Sequence, residues 1–240
     1  MKHMKKKQKV IVSVVVVLLL VAGCVCYVQD YYRSDETVQQ YLEKNGSIKI
    51  EETENGLFLD GPATEQALIF YPGAKVEYTA YVPLLYQVAE AGVDVFLVKM
   101  PCNLAFLGKN SADIIMENDT YNHWFLGGHS LGGAMAADYA AEHLDSLNGL
   151  VLLAAYPTKS LQTKGFSVIS IYGSEDGVLN MDKINQGRDY MPEAYTEICI
   201  QGGNHAQFGN YGVQKKDGEA SITREEQQRL TVAEICKMIK

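Results

Sequence analysis

The chain is short of histidine, short of paired cysteines and, once its first residues are set aside, short of positive charge. Five of its 21 basic side chains (Lys2, Lys5, Lys6, Lys7 and Lys9) fall in the first nine residues, which carry no acid. Beyond them 16 basic side chains face 29 acidic ones, a balance of about −13. A body that acidic repels phosphate backbones and anionic headgroups, which argues against nucleic acid as a partner. The five cysteines form no CxxC pair and share no ligand spacing with histidine, which argues against a structural metal. Cys24 and Cys26 lie in an apolar stretch. Cys102, Cys199 and Cys236 cannot all pair with one another and read as small buried apolar residues. No nucleotide-binding loop, redox motif, internal repeat or low-complexity tract is present. No cofactor is expected.

What is there begins with an apolar run. Val10 to Val28 is interrupted only by Ser13 among apolar or small side chains, long enough to span a hydrocarbon core as a helix. Lysines before it and few charges after it predict a cytoplasmic N-terminus and an exported body. Residues 1–29 therefore read as a lysine-rich tail and membrane anchor, 30–46 as a stalk and 47–240 as one domain, which the motifs below make the catalytic one. A cleaved signal is the competing expectation, and Val21-Ala22-Gly23-Cys24 matches a lipobox whose cysteine would carry the lipid. Either way the body is tethered to a membrane.

The body opens with a hairpin. Ser47 to Glu51 alternates polar and apolar, Asn55-Gly56 turns the chain, and Leu57-Phe58-Leu59 returns. Short apolar runs then alternate with helical periods. Strands are expected at Ala67–Tyr71, Val93–Val98, His123–Gly127, Leu150–Ala155, Phe166–Tyr172 and Tyr195–Ile200. Helices are expected at Tyr81–Ala91, Ala112–Met116, Leu131–His143 and Thr223–Met238, the last opened by Thr223 and Glu226 spaced as a capping box. Continuous apolar strands alternating with helices predict an α/β fold with a mainly parallel twisted sheet covered on both faces.

The chemistry concentrates at Gly128-His129-Ser130-Leu131-Gly132, a G-x-S-x-G sequence between an expected strand and an expected helix. A turn that tight has room only for glycine beside the strand and helix, and it pushes the serine oxygen out over a helix N-terminus. Ser130 is the candidate nucleophile. A serine needs a base, and elimination leaves His205: His3 is in the tail, His123 opens a strand at the opposite edge, His143 ends a helix, and His129 inside the turn is expected to point away from the active face. The acid follows an intervening strand in Gly173-Ser174-Glu175-Asp176-Gly177. Asp176 is preferred, with Glu175 as the neighbour able to serve. The backbone N–H groups of Leu131 and of Ala74, in Pro72-Gly73-Ala74-Lys75, are the candidate oxyanion donors. Tyr78, Asn103, Phe106, Tyr156 and Phe208 are candidate substrate-binding residues, with Tyr81 and Tyr211 at the same rim.

On Phe70 to Ala74, Gly127 to Gly133, Tyr172 to Gly177 and Gly202 to Phe208 the chain resembles the α/β-hydrolase superfamily. It is most similar to small membrane-anchored bacterial hydrolases near the dienelactone hydrolases and carboxylesterases. The resemblance carries the nucleophile, acid and base to Ser130, Asp176 and His205. A serine stands where dienelactone hydrolases have cysteine, so their substrate is not implied. Only Tyr156 to Gly165 separates two core strands where many relatives insert a lid, which implies an open site for small or extended esters. The expected reaction is ester hydrolysis through an acyl-enzyme. The alternatives are a peptidase or amidase with the same residues, or a hydrolase fold kept as a surface binding module.

Overall fold

In a computed structural model, residues 6–43, 48–62 and 65–240 are described. Lys2, His3 and Lys5 of the tail, residues 44–46 at the end of the expected stalk and Ser47 of the expected hairpin lie outside the described residues. The chain divides into two units, Met1–Tyr31 and Tyr32–Lys240. The first is a single helix, α1 (Lys6–Gln29), long and apolar enough to cross a membrane.

In the second unit, period-two side-chain alternation builds both faces of one sheet. Its eight strands are β1 (Lys49–Thr53), β2 (Gly56–Asp60), β3 (Gln66–Tyr71), β4 (Asp94–Val98), β5 (His123–His129), β6 (Gly149–Leu153), β7 (Ser167–Gly173) and β8 (Ala194–Ile200), in the order β1-β2-β4-β3-β5-β6-β7-β8. The six strands from β3 to β8 run parallel, while the β1–β2 hairpin adds antiparallel to β4. Gly56 closes that hairpin at φ +142°, where a Cβ would strike the Leu97 carbonyl.

Alternate residues feed two cores. Leu68, Phe70, Val95, Leu97, Val151 and Ile171 face one side, where α3 (Val82–Glu90) and α7 (Arg224–Ile239) pack. Ile69, Tyr71, Phe96, Leu126, Leu150 and Leu152 face the other, covered by α4 (Ser111–Asn118) and α5 (Leu131–Ala140). The α7 helix starts with half of the expected capping box: the Thr223 side chain accepts from the Glu226 N–H at 3.2 Å, while the Glu226 carboxylate accepts from Arg229 instead of turning back. A short helix not foreseen, α6 (Met181–Gly187), follows β7, its Asn180 cap accepting from Lys183 N–H. Between β6 and β7, residues 154–166 form no helix or strand, so no lid domain is inserted there.

The expected stalk behaves otherwise over most of its length. Tyr32 bridges to Val76, Val38 is buried, and Tyr32 and Tyr41, the latter on the short helix α2 (Gln39–Leu42), pack against the core. The Asp35 N–H donates to the Asn210 carbonyl at 2.8 Å and the Asp35 carboxylate pairs with Arg224 at 2.5 Å. Aromatic and branched side chains in this charged segment had partners too distant in sequence to be foreseen.

Candidate active site

Ser130 sits between β5 and α5 at φ 53°, ψ −122°, a backbone conformation that L side chains rarely adopt. The flanking glycines make it possible. A Cβ on Gly128 would lie 2.7 Å from the Tyr71 carbonyl oxygen, and one on Gly132 would collide with the carbonyls of Tyr71 and Pro72. The turn is pinned by the Ser130 N–H donating to the Leu153 carbonyl at 2.9 Å. Leu131 is the first residue of α5, so its N–H has no acceptor within that helix.

Asp176 follows β7 and His205 follows β8, which brings both to the carboxyl edge of the sheet where Ser130 emerges. His205 Nδ1 lies 2.8 Å from Asp176 Oδ2, and both side chains are almost completely buried. The other carboxylate oxygen, Oδ1, accepts from the N–H groups of Val178 at 2.9 Å and Leu179 at 2.8 Å. These bonds fix the carboxylate and favour the tautomer with its proton on Nδ1. Glu175, the alternative acid, is exposed and accepts from the Ser174 hydroxyl instead. Among the described residues His205 Nε2 has no hydrogen-bond partner, Ser130 included. Both residues line one cavity of about 210 Å³, with Leu131, Tyr156, Val178 and Asn180. Long or absent nucleophile–base bonds are common in unliganded sites.

His129 is not where its place in the turn implies. It does not turn away but lies beneath the base, with ring centroids 4.4 Å apart. The Tyr81 hydroxyl is 2.8 Å from His129 Nδ1 and accepts from the Gly73 N–H at 3.0 Å. The Gly73 N–H can only donate, so the tyrosine oxygen accepts there and shares a second hydrogen bond with His129 Nδ1. Burial, and next the neighbouring His205, hold the His129 pKa well below its ordinary value. Burial raises the Tyr81 pKa, so both groups stay neutral. A Cβ on Gly73 would lie 2.8 Å from the Tyr81 oxygen and 2.9 Å from His129 Nδ1.

Asp217 was not foreseen at all. Its Oδ1 accepts from the N–H groups of Gly177 at 3.1 Å, His205 at 3.2 Å and Gly218 at 2.9 Å, and its Oδ2 from Ala206 at 2.8 Å. One carboxylate thus ties the loop bearing Asp176 to the loop bearing His205. No local pattern marks such a residue, because its partners come from elsewhere in the chain.

The expected substrate-binding residues separate. Tyr156 lines the cavity with Ser130. Phe208 does not: it is fully buried, its ring 5.6 Å from that of His129, because the turn after His205 directs it into the core. Tyr81 and Tyr211 are likewise buried. Tyr78 is half-buried beneath Lys99. The Asn103 carbonyl accepts from the Lys75 N–H at 2.8 Å, supporting the Ala74 loop rather than lining the cavity. Phe106 is 54% exposed and borders a separate depression with Leu107 and Ile114. Ala74 lies outside the residues lining the Ser130 cavity. Cys102 and Cys199 are exposed rather than buried, and all five cysteines are unpaired.

Residues 67–229 match the model of the alpha/beta hydrolase family. The chain belongs to that family. Among solved structures it is similar to a CIB-like hydrolase from Thermoplasma acidophilum, with a TM-score of 0.61, 13% identity, and coverage of 79% of this chain and 99% of that one. It is also similar to carboxyl esterase 2 from Tuber melanosporum, with a TM-score of 0.61, 9% identity, and 88% and 92% coverage. A monoacylglycerol lipase from Paleococcus ferrophilus gives a TM-score of 0.59, 15% identity, and 80% and 100% coverage. At such identities the likeness is one of fold. No curated protein matches.

Proposed function

We propose that this alpha/beta hydrolase is a serine hydrolase that cleaves carboxylic esters through an acyl-enzyme. The observation that carries the reading is the buried 2.8 Å contact between His205 Nδ1 and Asp176, beside a cavity shared by His205 and Ser130. In the first step His205 Nε2 takes the Ser130 proton as Oγ attacks the ester carbonyl. The carbonyl oxygen becomes an oxyanion, held by the N–H of Leu131 and of Ala74. His205 then returns the proton to the departing alcohol. Water, deprotonated by the same nitrogen, releases the acid and restores Ser130. Asp176 keeps the imidazole in its working tautomer and balances the imidazolium.

The apolar α1 segment supports a membrane anchor, with the lysine tail inside and the body outside. Attachment through Cys24 is the alternative, and intact mass separates the two, since an unprocessed chain retains Met1. The test of the chemistry is labelling by a fluorophosphonate together with hydrolysis of a soluble short-chain ester. Both are expected in the wild type and lost in Ser130→Ala. Hydrolysis that survives Ser130→Ala overturns the mechanism, and amides turned over as fast as esters would make the protein an amidase instead.

A further inference from the structure

The chain enters its second unit at the edge that holds the candidate site. The Tyr32 N–H donates to the Lys75 carbonyl at 2.7 Å, and the Glu77 N–H donates back to the Tyr32 carbonyl at 2.8 Å, on the loop that follows Ala74. The Tyr32 hydroxyl accepts from the Lys215 N–H at 3.0 Å, and its ring packs on Tyr211 at 5.6 Å, on the loop that follows His205. In the sequence the apolar run ends at Val28, and four residues of chain reach at most about 14 Å.

A second observation is independent of the first. Outside the N-terminal helix, eight large apolar side chains are exposed among the described residues. Five of them (Phe106, Leu107, Val178, Met181 and Val213) lie in segments following the carboxyl ends of β4, β7 and β8, so the exposed apolar surface gathers at the site's own edge. Val213, beyond His205, is 91% exposed. Exposed apolar groups spread over the sheet edge that carries the site, where Tyr32 also fastens, suit an apolar surface rather than bulk water. The body's negative balance disfavours an anionic one.

We propose that this edge works against the surface of a zwitterionic bilayer and that the site takes acyl esters held in that bilayer. The proposal rests on the ester-hydrolase reading given above. The cavity beside Ser130, about 210 Å³ and lined in part by the exposed Val178, admits the ester group and the first part of an acyl chain, and the rest stays in the bilayer.

The experiment uses the full chain reconstituted in phosphatidylcholine vesicles. A fluorogenic diacylglycerol is placed either in the same vesicles or in separate protein-free ones, and a soluble short-chain ester is the control. Tethering raises the local substrate concentration, so diacylglycerol in the same vesicles should be cleaved at least about tenfold faster than in separate ones. Leu107→Asp and Val213→Asp, both at exposed positions, should each slow the vesicle reaction about tenfold, the cost of withdrawing one apolar side chain from lipid. Neither should change hydrolysis of the soluble ester. Equal rates in the two arrangements, or vesicle rates untouched by both substitutions while the soluble ester is still cleaved, overturn the proposal. Loss of a dimer in Val213→Asp with unchanged vesicle rates overturns it too, and assigns the apolar rim to a second copy of the chain. If no ester of either kind is cleaved and Ser130 is not labelled, the ester-hydrolase reading itself has failed.

Discussion

Replacing Tyr81 with phenylalanine removes one oxygen and leaves a fully buried ring in place against Phe70. That hydroxyl serves two groups, accepting from the Gly73 N–H and sharing a hydrogen bond with His129 Nδ1. Both lose their partner in the interior. An unmet buried polar group costs about 1–3 kcal/mol, so the pair should cost about 2–6 kcal/mol of stability. Against a total of roughly 5–15 kcal/mol, such a loss is large and measurable. Trp124, the only tryptophan, is buried and reports unfolding by its fluorescence, so denaturant titration of the full chain in mild detergent is a suitable assay. The same change frees the loop that presents Ala74. Because an oxyanion donor acts on charge that develops during the reaction, kcat for a soluble ester should fall on the order of tenfold while KM stays nearly constant. A stability loss below about 0.5 kcal/mol would refute the reasoning, since it would mean that neither partner depends on the hydroxyl.

Three other outcomes follow from the same contacts. Asp176→Asn should keep the fold and lower kcat by about 10³–10⁴, because an amide in place of Oδ2 favours the wrong imidazole tautomer; Michaelis kinetics with a circular dichroism control decides it. Asp217→Ala should destabilise the protein and lower kcat together, because four N–H donors in the acid and base loops lose their acceptor; thermal melts and turnover measured on one preparation would show whether the two effects travel together. His129 has a folded-state pKa well below the ordinary 6.5, so the unfolded chain binds the extra proton first as the pH falls. Its contribution to stability is full above about pH 6.5 and is lost below it, by up to about 1.4 kcal/mol per pH unit. Urea midpoints at several pH values should show this slope, and His129→Gln should flatten it.

How far the sequence could be read depended on the range of the interaction concerned. The nucleophile turn is local: Gly128 and Gly132 are required by atoms a few residues away and by one neighbouring strand, so the G-x-S-x-G pattern carries its own geometry. Strands such as β3 and β6 announce themselves because both of their faces are apolar. The Thr223 cap is legible for the same reason, since donor and acceptor are three residues apart. By contrast, the fastening of Tyr32 to Lys75 and Lys215, the Asp217 clamp and the burial of Phe208 join segments tens to nearly two hundred residues apart. Nothing in the composition of residues 30–46 separates a packed strap from a solvated stalk. His129 was misjudged because alternation along β5 gives the face a side chain takes, and not the ring from another loop that comes to lie on it.

The place of His129 beneath the base has a chemical consequence. The proposed mechanism needs His205 to become a cation in each half-reaction. A second positive charge at the 4.4 Å separation of the two rings would oppose it by about 4 kcal/mol at an effective dielectric of 20. His129 must therefore remain neutral while His205 takes up its proton. Burial accomplishes most of this, the neighbouring His205 adds to it, and the hydrogen bond to the Tyr81 hydroxyl holds the ring in place. The Tyr81–His129 pair thus serves two ends, holding the Gly73 loop in position and keeping positive charge away from the imidazole that has to acquire it.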